Sequence, residues 1–416
     1  PPSGPWHERP PPGRAFLDRI PANDTHRRTT TETSTRLKPP DYRSNAPNRA
    51  SRLAAALACA RAGCEVRLFE RAPQFLEVGA GIQVSPNVVR VLHGWGLADA
   101  LREVAAFPDS LQVRDAVSGA GLGAMALGES AVRRYGFSYA TIHRADMHSL
   151  LLTAAGQQAH TVLQRDASVS AFVQEAQAVA VDVVDHAGVS SHERGDVLVG
   201  ADGLWSGVRQ QLLDDGAARA SGHVAYRAMV PQAALPQALR SQQITAWLGP
   251  KLHAVQYPVR GGEWLNVVII LEGRPAGALD NWDHNASTSA LRSALGGMCA
   301  PLQDLAGAIE AWRQWALCAR TPMLSAAEHA RGRVALLGDA AHPMFPYLAQ
   351  GAAMAIEDAD TLAQCLDPAA THSGDVTERL QRYASLRWQR NARVQARAIR
   401  NGRIFHASGV TAWGRD

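Results

Sequence analysis

The sequence predicts an α/β protein in which a Rossmann-like nucleotide-binding part is interleaved with a mixed-sheet part and followed by a helical C-terminal region. Three observations carry that expectation. A run of helix formers, LAAALACARAG, leads into a short apolar strand, CEVRLFER, that closes on the acid Glu70. Two further apolar strands, DVLVGADG and VALLGD, also deliver a glycine and an acid into a turn, as Asp202 with Gly203 and Gly338 with Asp339. Between those two, residues 222–272 are dense in strand signal.

The first 50 residues stand apart. They hold nine Lys and Arg against five Asp and Glu, and ten of the 23 prolines, so the whole formal charge of +4 resides there and the remainder balances at 33 against 33. The segment reads as disordered or aberrant, and the neutral remainder implies no nucleic-acid partner. No charged n-region, apolar core and cleavage site is present, and Glu8, Asp18, Asp24, Glu32 and Asp41 argue against a transit peptide, so a cytoplasmic location is expected. Five scattered cysteines without a CxxC predict neither a disulfide framework nor a zinc site, and no metal is expected. No apolar run approaches the length of a membrane span, so no membrane partner is expected.

From residue 53 the elements follow in order. A helix ends near Gly63, where a left-handed residue suits a helix terminus, and the strand to Glu70 completes the second half of a βαβ unit. PNVVRVLHGWGLADALREVA predicts helix, turn, helix, and RADMHSLLLTAAG a helix with Asp146 near its start. SAFVQE and AVAVDVV, bounded by HAGVSS and ERGD, predict a small antiparallel meander feeding DVLVGADG. HVAYRAMVP, ITAWLGP and LHAVQYPVRGGEWLNVVIILEG predict an inserted sheet, with RGGE as a turn between two strands. Residues 286–316 are expected to be helical, followed by the strand VALLGD, a proline-rich loop, the helix AQGAAMAIEDADTLAQCL and a basic, Arg-rich helical stretch.

Turns that receive a strand and open a helix expose backbone N–H groups to a phosphate, while an acid at the strand end accepts sugar hydroxyls. Glu70 suits a ribose, and suits equally an ordinary strand-end carboxylate; Asp202 and Gly203 suit a ligand or a plain Asp-Gly turn. VALLGDAAHPMFPYLAQGAAMAIEDA is more specific. It combines a buried strand, Gly338 and Asp339, a loop fixed by Pro343 and Pro346, and Gly351 opening a helix of small residues that a ligand can approach closely. His253 and Tyr257 are four apart, so on an extended strand they share a face and one ligand, or else pack as ordinary sheet residues.

Taken in order and spacing, ER at the second strand, GAGIQVSPN, HRAD, GADGLWSGVR and GDAAHP with GAAMAIEDA resemble the class A flavoprotein aromatic hydroxylases, of para-hydroxybenzoate hydroxylase fold, over about residues 53 to 400. HAVQYPVRGGEWLN is similar to the 3-hydroxybenzoate 6-hydroxylase, salicylate hydroxylase and 6-hydroxynicotinate 3-monooxygenase subgroup. The resemblance implies tightly bound FAD, with NADH or NADPH as co-substrate. The reaction it implies is O2-dependent hydroxylation of a small phenolic or hydroxy-heteroaromatic acid through a flavin C4a-hydroperoxide, with a homodimer as a compatible assembly.

It implies Glu70 and Arg71 at the adenosine ribose, Arg144 at the phosphate and ribityl region, Asp202 in the motif shared by flavin and nicotinamide binding, Asp339 on the ribityl hydroxyls, and the N–H groups of Gly351 and Ala352 beside the flavin ring. His253 would be the base that forms the phenolate, and Tyr257 would orient a ring substituent. Gln83 would face the substrate. His342 would approach the flavin or else bond backbone. Where the 3-hydroxybenzoate enzymes would carry Gln, this chain has Pro346.

By the same resemblance the cofactor part comprises residues 52–105, 140–220 and 325–366, the substrate part 106–139 and 221–324, and a helical end 367–416. The family's first strand and GxGxxG turn should place glycines at positions 47, 49 and 52, where this chain has Pro47, Arg49 and Arg52. Residues 1 to about 51 are therefore expected to be a fusion scar or a wrong reading frame. That departure keeps open an inactive, cofactor-deficient remnant, beside a related flavin oxidoreductase acting on a quinone precursor or isoprenoid.

Overall fold

The computed structural model of the 416-residue chain describes residues 50–74, 80–274, 277–279, 284–369 and 374–407. The expectations for residues 1–49, including Pro47 and Arg49, lie outside the described residues; Arg52 lies within them. The architecture is a mixed α/β one, as the sequence predicts.

The helix Ala50–Arg61 is built almost wholly from small and aliphatic residues and is buried along most of its length. Val66–Glu70 pairs in parallel with Thr161–Arg165. Leu198–Gly200 pairs in parallel with Val334–Leu336, which also pairs antiparallel with Ala330–Arg331. Leu68, Ala335 and Leu337 share a core with the helices Ala50–Arg61, Arg144–Gly156 and Gly351–Leu366. Phe69, Val334 and Leu336 share another with the antiparallel strands Ala167–Gln174 and Val179–Asp185. The alternation of side chains along a strand thus puts both parallel pairs in one layer, helices on one face and the meander on the other. Among the described residues no strand pairs with both.

The second large element is an eight-stranded sheet, in the order His284–Asn285, Arg313–Ala319, Arg219–Pro231, Trp264–Glu272, Leu252–Val259, Ile244–Gly249, Ser110–Asp115 and Gly121–Ala126. Every pairing is antiparallel except that of Ile244–Gly249 with Ser110–Asp115. One face carries Trp247, Leu252, Ala254, Leu265, Val267 and Ile269 against the helices Thr288–Ala294 and Ala300–Gly307. The other face turns toward the loop after Gly338, where Ala225, Ile270, Trp315 and Leu317 pack with Tyr347.

The helical expectation for residues 286–316 is only partly met, because Arg313–Ala319 is a strand paired with Arg219–Pro231. AWRQWALCA satisfies both a helical and an alternating pattern; the partner strand decides, and Trp315 lies under the Arg227 guanidinium at 5.2 Å.

Two connections position the site. Arg260, at the tip of the RGGE turn, makes a two-pronged ion pair with Asp146 at 2.9 and 3.0 Å, which ties the sheet hairpin to the start of the helix Arg144–Gly156. The 30-residue helix Val376–Phe405 starts on the Asp375 cap and crosses the parallel layer, where Tyr383 donates to the Leu336 carbonyl at 2.9 Å. Its end carries Phe405 and His406 onto the large sheet. No described helix is long and apolar enough to cross a membrane.

Candidate active site

At the end of Val66–Glu70 the Glu70 side chain is fully buried. One carboxylate oxygen accepts from the Ala72 N–H at 3.0 Å and the other from Arg52 Nη1 at 2.7 Å. Arg71, the next residue, is half-buried. Asp202 follows Leu198–Gly200 and turns its carboxylate onto the start of the helix Gly207–Leu213, accepting from Ser206 Oγ and from the Val208 N–H at 3.2 Å. This is the placement that satisfies orphan N–H groups at a helix start.

Gly338 has a φ of +61°, and a Cβ there would lie 3.0 Å from the Ala355 Cβ and 3.2 Å from the Ser51 Cβ. Only glycine brings the Asp339 turn this close between two helices. Asp339 and the helix start at Gly351 and Ala352 are all half-buried. A Cβ on Gly351 would stand 4.0 Å from both Asp339 Oδ1 and Met344 Cγ, so the glycine keeps open a cradle between the carboxylate and the loop. Arg144 opens its own helix, its N–H bonded to the Ala80 carbonyl at 2.8 Å, and lies close enough to Tyr257 to act on its phenol electrostatically.

Along Leu252–Val259, His253, Val255 and Tyr257 face the loop side of the sheet, with Val255 partly open. Tyr257 stands opposite Asn266 on the neighbouring strand. Asn266 Oδ1 accepts from the Gly81 N–H at 2.7 Å, while its Nδ2 is buried without a partner. A Cβ on Gly81 would come within 2.5 Å of the Tyr257 ring, so Gly81 and Tyr257 are in direct contact. Tyr139 completes this end by donating to Gln83 Oε1 at 2.6 Å. Burial, then Tyr139, pushes the Tyr257 phenol well above its ordinary range, with Arg144 opposing, so it remains a neutral donor.

At the other end, His253 is buried and its Nδ1 lies 2.7 Å from His406 Nε2. Its ring meets Tyr347 at 5.1 Å and Phe405 at 5.3 Å between centroids. Burial, then the neighbouring His406 and His223, hold the His253 imidazole well below the ordinary histidine range. It is neutral at physiological pH, the protonation state a base requires. Two surface clefts, one lined by Pro236, Leu239, Arg292 and Asp304 and one by Phe107, Glu129, Arg133 and Tyr139, lie outside this face and share only Tyr139 with it.

His342 does not approach this face. It is fully buried with Nε2 on the Asp358 carboxylate, inside a network with Arg387, Asn391 and His329. The buried carboxylate holds the imidazole there, a partner that neither sequence alternative for His342, flavin or backbone, had named. Conversely, sequence reasoning missed Tyr347, His406 and Asn266. Asn266 could have been found by counting: the RGGE turn closes Val259 on Trp264, so Tyr257 must face residue 266. No comparable signal marks His406.

Residues 52–398 match the family model of the FAD binding domain. The chain belongs to that family. The 3-hydroxybenzoate 6-hydroxylase of Polaromonas naphthalenivorans (strain CJ2) is 38% identical over 359 residues, covering 86% of each chain. The 6-hydroxynicotinate 3-monooxygenase of Pseudomonas fluorescens is 34% identical over 348 residues, covering 82% of this chain and 86% of that one. Among solved structures, Klebsiella pneumoniae HpxO complexed with FAD and uric acid superposes with a TM-score of 0.73 at 25% identity, covering 88% of this chain and 89% of that one. This member of the FAD binding domain family is accordingly a flavoprotein aromatic monooxygenase whose cofactor is FAD.

The cradle between Asp339, Met344 and the open Gly351 fits that cofactor: a carboxylate for sugar-alcohol hydroxyls stands beside a helix start with accessible N–H groups. At the adenosine end the carboxylate expected to meet the ribose, Glu70, has both oxygens engaged, one of them by Arg52.

Proposed function

We propose that this chain hydroxylates a small phenolic or hydroxy-heteroaromatic acid, with NADH or NADPH as reductant, and that His253 takes the ring hydroxyl's proton. The observation that carries the reading is the strand face itself. A buried neutral imidazole, His253, and a neutral phenol donor, Tyr257, stand two pleats apart on one surface with the half-open Val255 between them.

A planar acid lying on Val255 has a base at one end. At the other it meets the Tyr257 hydroxyl and the unpartnered Asn266 Nδ2, with Gln83 and Tyr139 beyond them. Removing the phenolic proton raises the electron density of the ring toward an electrophilic oxygen donor, and the apolar neighbours Tyr347 and Phe405 keep water from competing for His253. FAD, when bound, supplies the redox and oxygen-transfer chemistry. Asp339 and the N–H groups of Gly351 and Ala352 would hold its ribityl and ring region, Arg144 its phosphate side, and Glu70 with Arg71 its adenosine ribose, with Asp202 ordering the turn shared with nicotinamide binding.

In this reading residues 52–105, 140–220 and 325–366 bind the cofactor, 106–139 and 221–324 carry the substrate face, and 367–416 close it. The names of the relatives, which act on hydroxybenzoate and hydroxynicotinate, support the substrate class. A cytoplasmic homodimer is the form proposed for the working enzyme.

The test is His253→Ala in the FAD-loaded protein. Hydroxylation of salicylate, 3-hydroxybenzoate or 6-hydroxynicotinate should fall by about 100-fold or more, as for loss of a general base, while flavin absorbance is retained. Unchanged turnover removes His253 from the chemistry. A second reading, a cofactor-deficient form, is favoured by one observation, the Arg52 guanidinium on Glu70; a purified chain that is colourless and takes up no added FAD would establish it.

A further inference from the structure

We propose that His223, Glu272 and His406 form a binding site for a zinc-type divalent cation at the end of two central strands of the large sheet, beside the His253 base. His223 and Glu272 are direct cross-strand neighbours, and His406 is delivered by the end of the helix Val376–Phe405. One ring nitrogen of each histidine and a Glu272 oxygen all lie within 4.8 Å of one another, and the two imidazoles are 4.6 Å apart between centroids. Two histidines and a carboxylate are a ligand set that zinc takes, leaving a fourth tetrahedral position for water.

A second observation points to a ligand. His406 is 93% buried, yet its Nδ1 has no hydrogen-bond partner. Its other nitrogen, Nε2, is held by His253. His223 shows the same division, with Nδ1 bonded to the Tyr347 hydroxyl. Metal-binding histidines characteristically have the outer nitrogen fixed by a hydrogen bond, which sets the ring's orientation and the nitrogen left to bind. Glu272 is exposed and gives an ion a path from solvent. The Lys251 N–H bonds the His406 carbonyl at 3.3 Å and anchors the helix end to the sheet.

Occupancy has a chemical consequence, which rests on the base assigned to His253 above. An ion on His406 Nδ1 leaves the ring proton on Nε2, from where it is donated to His253 Nδ1. The His253 proton then resides on its own Nε2, and the residue meets the substrate as a donor. A bound ion therefore switches the hydroxylase off.

The experiment uses the full FAD-loaded chain, dialysed against chelator and titrated calorimetrically with zinc chloride. One equivalent is expected to bind. Affinity should drop at least about tenfold in Glu272→Gln and in His223→Ala. In parallel, zinc should inhibit hydroxylation over the same concentrations, each protein being referred to its own metal-free rate, with the inhibition curve moved by the same factor in Glu272→Gln. No stoichiometric uptake, or uptake unaltered in both variants because another of the 15 histidines takes an adventitious ion, overturns the site. Uptake that both variants weaken, without inhibition of the parent, upholds the site and overturns the role given to His253.

Discussion

His329 should make the protein acid-sensitive between about pH 6.5 and about pH 4. Its ring is fully buried; Nδ1 lies 3.3 Å from the Leu336 carbonyl, and Nε2 lies 2.9 Å from the Asn391 amide nitrogen. Asn391 cannot turn over to offer oxygen instead, because its Oδ1 accepts from Arg387 at 3.3 Å and its Nδ2 also donates to Asp358 at 3.0 Å. The network therefore accepts only neutral His329. Burial first, then His342 and Arg387, lower its pKa from 6.5 to about 4, against the opposing pull of Asp358 and the Leu336 carbonyl.

A base whose folded pKa is depressed contributes stability that is complete above its unfolded value and lost as pH falls toward the folded one. Here that loss runs from about 6.5 down to about 4, and the part falling between about pH 7.5 and about pH 5 is about 2 kcal/mol. Asp358, whose carboxyl is held far below the ordinary range by His342 and Arg387 against the cost of its burial, adds a loss of the same sign only at lower pH. Urea unfolding of the parent and of His329→Gln at the two pH values isolates the term. The parent should lose about 2 kcal/mol more than the variant on acidification. Equal losses in the two proteins would refute the reasoning.

Three further outcomes follow from single contacts. Gly402→Ala places a Cβ 2.5 Å from the Tyr347 ring, so Tyr347 must leave His253; turnover should drop with FAD still bound, at a stability cost of about 1–3 kcal/mol, checked by steady-state kinetics and thermal unfolding. Arg52→Ala frees one oxygen of Glu70, and FAD should bind about tenfold tighter or more by fluorescence titration, the worth of one charge-assisted hydrogen bond. The same variant without FAD should be less stable, because Glu70 is left as a buried carboxylate. Asp358→Asn leaves the buried Arg387 and His342 without their shared anion, and should cost about 3–5 kcal/mol in urea unfolding.

Much of this was legible before the structure, and for identifiable reasons. Glu70, Asp202 and Asp339 stand at strand ends, the last two beside glycines, and the strand holding His253 and Tyr257 is fixed by its own turn. These are local signals, read within a dozen residues. What the sequence did not reveal is all non-local. Arg313–Ala319 became a strand because Arg219–Pro231 lay ready to pair with it. His342 turned inward because Asp358 and Arg387 supply buried charge from two different helices. His406 lies 153 positions from His253, at the end of a helix whose sequence reads as a solvated basic face.

The long helix Val376–Phe405 brings Phe405 and His406 against a strand made some 150 residues earlier. During synthesis this face of the sheet therefore stays open until residue 406 has left the ribosome, however early the sheet has formed. His253 becomes dry only when the growing chain has been released far enough to fold this helix back. A nascent chain that had already captured its cofactor would still lack the walls that keep water from His253 until this helix is in place.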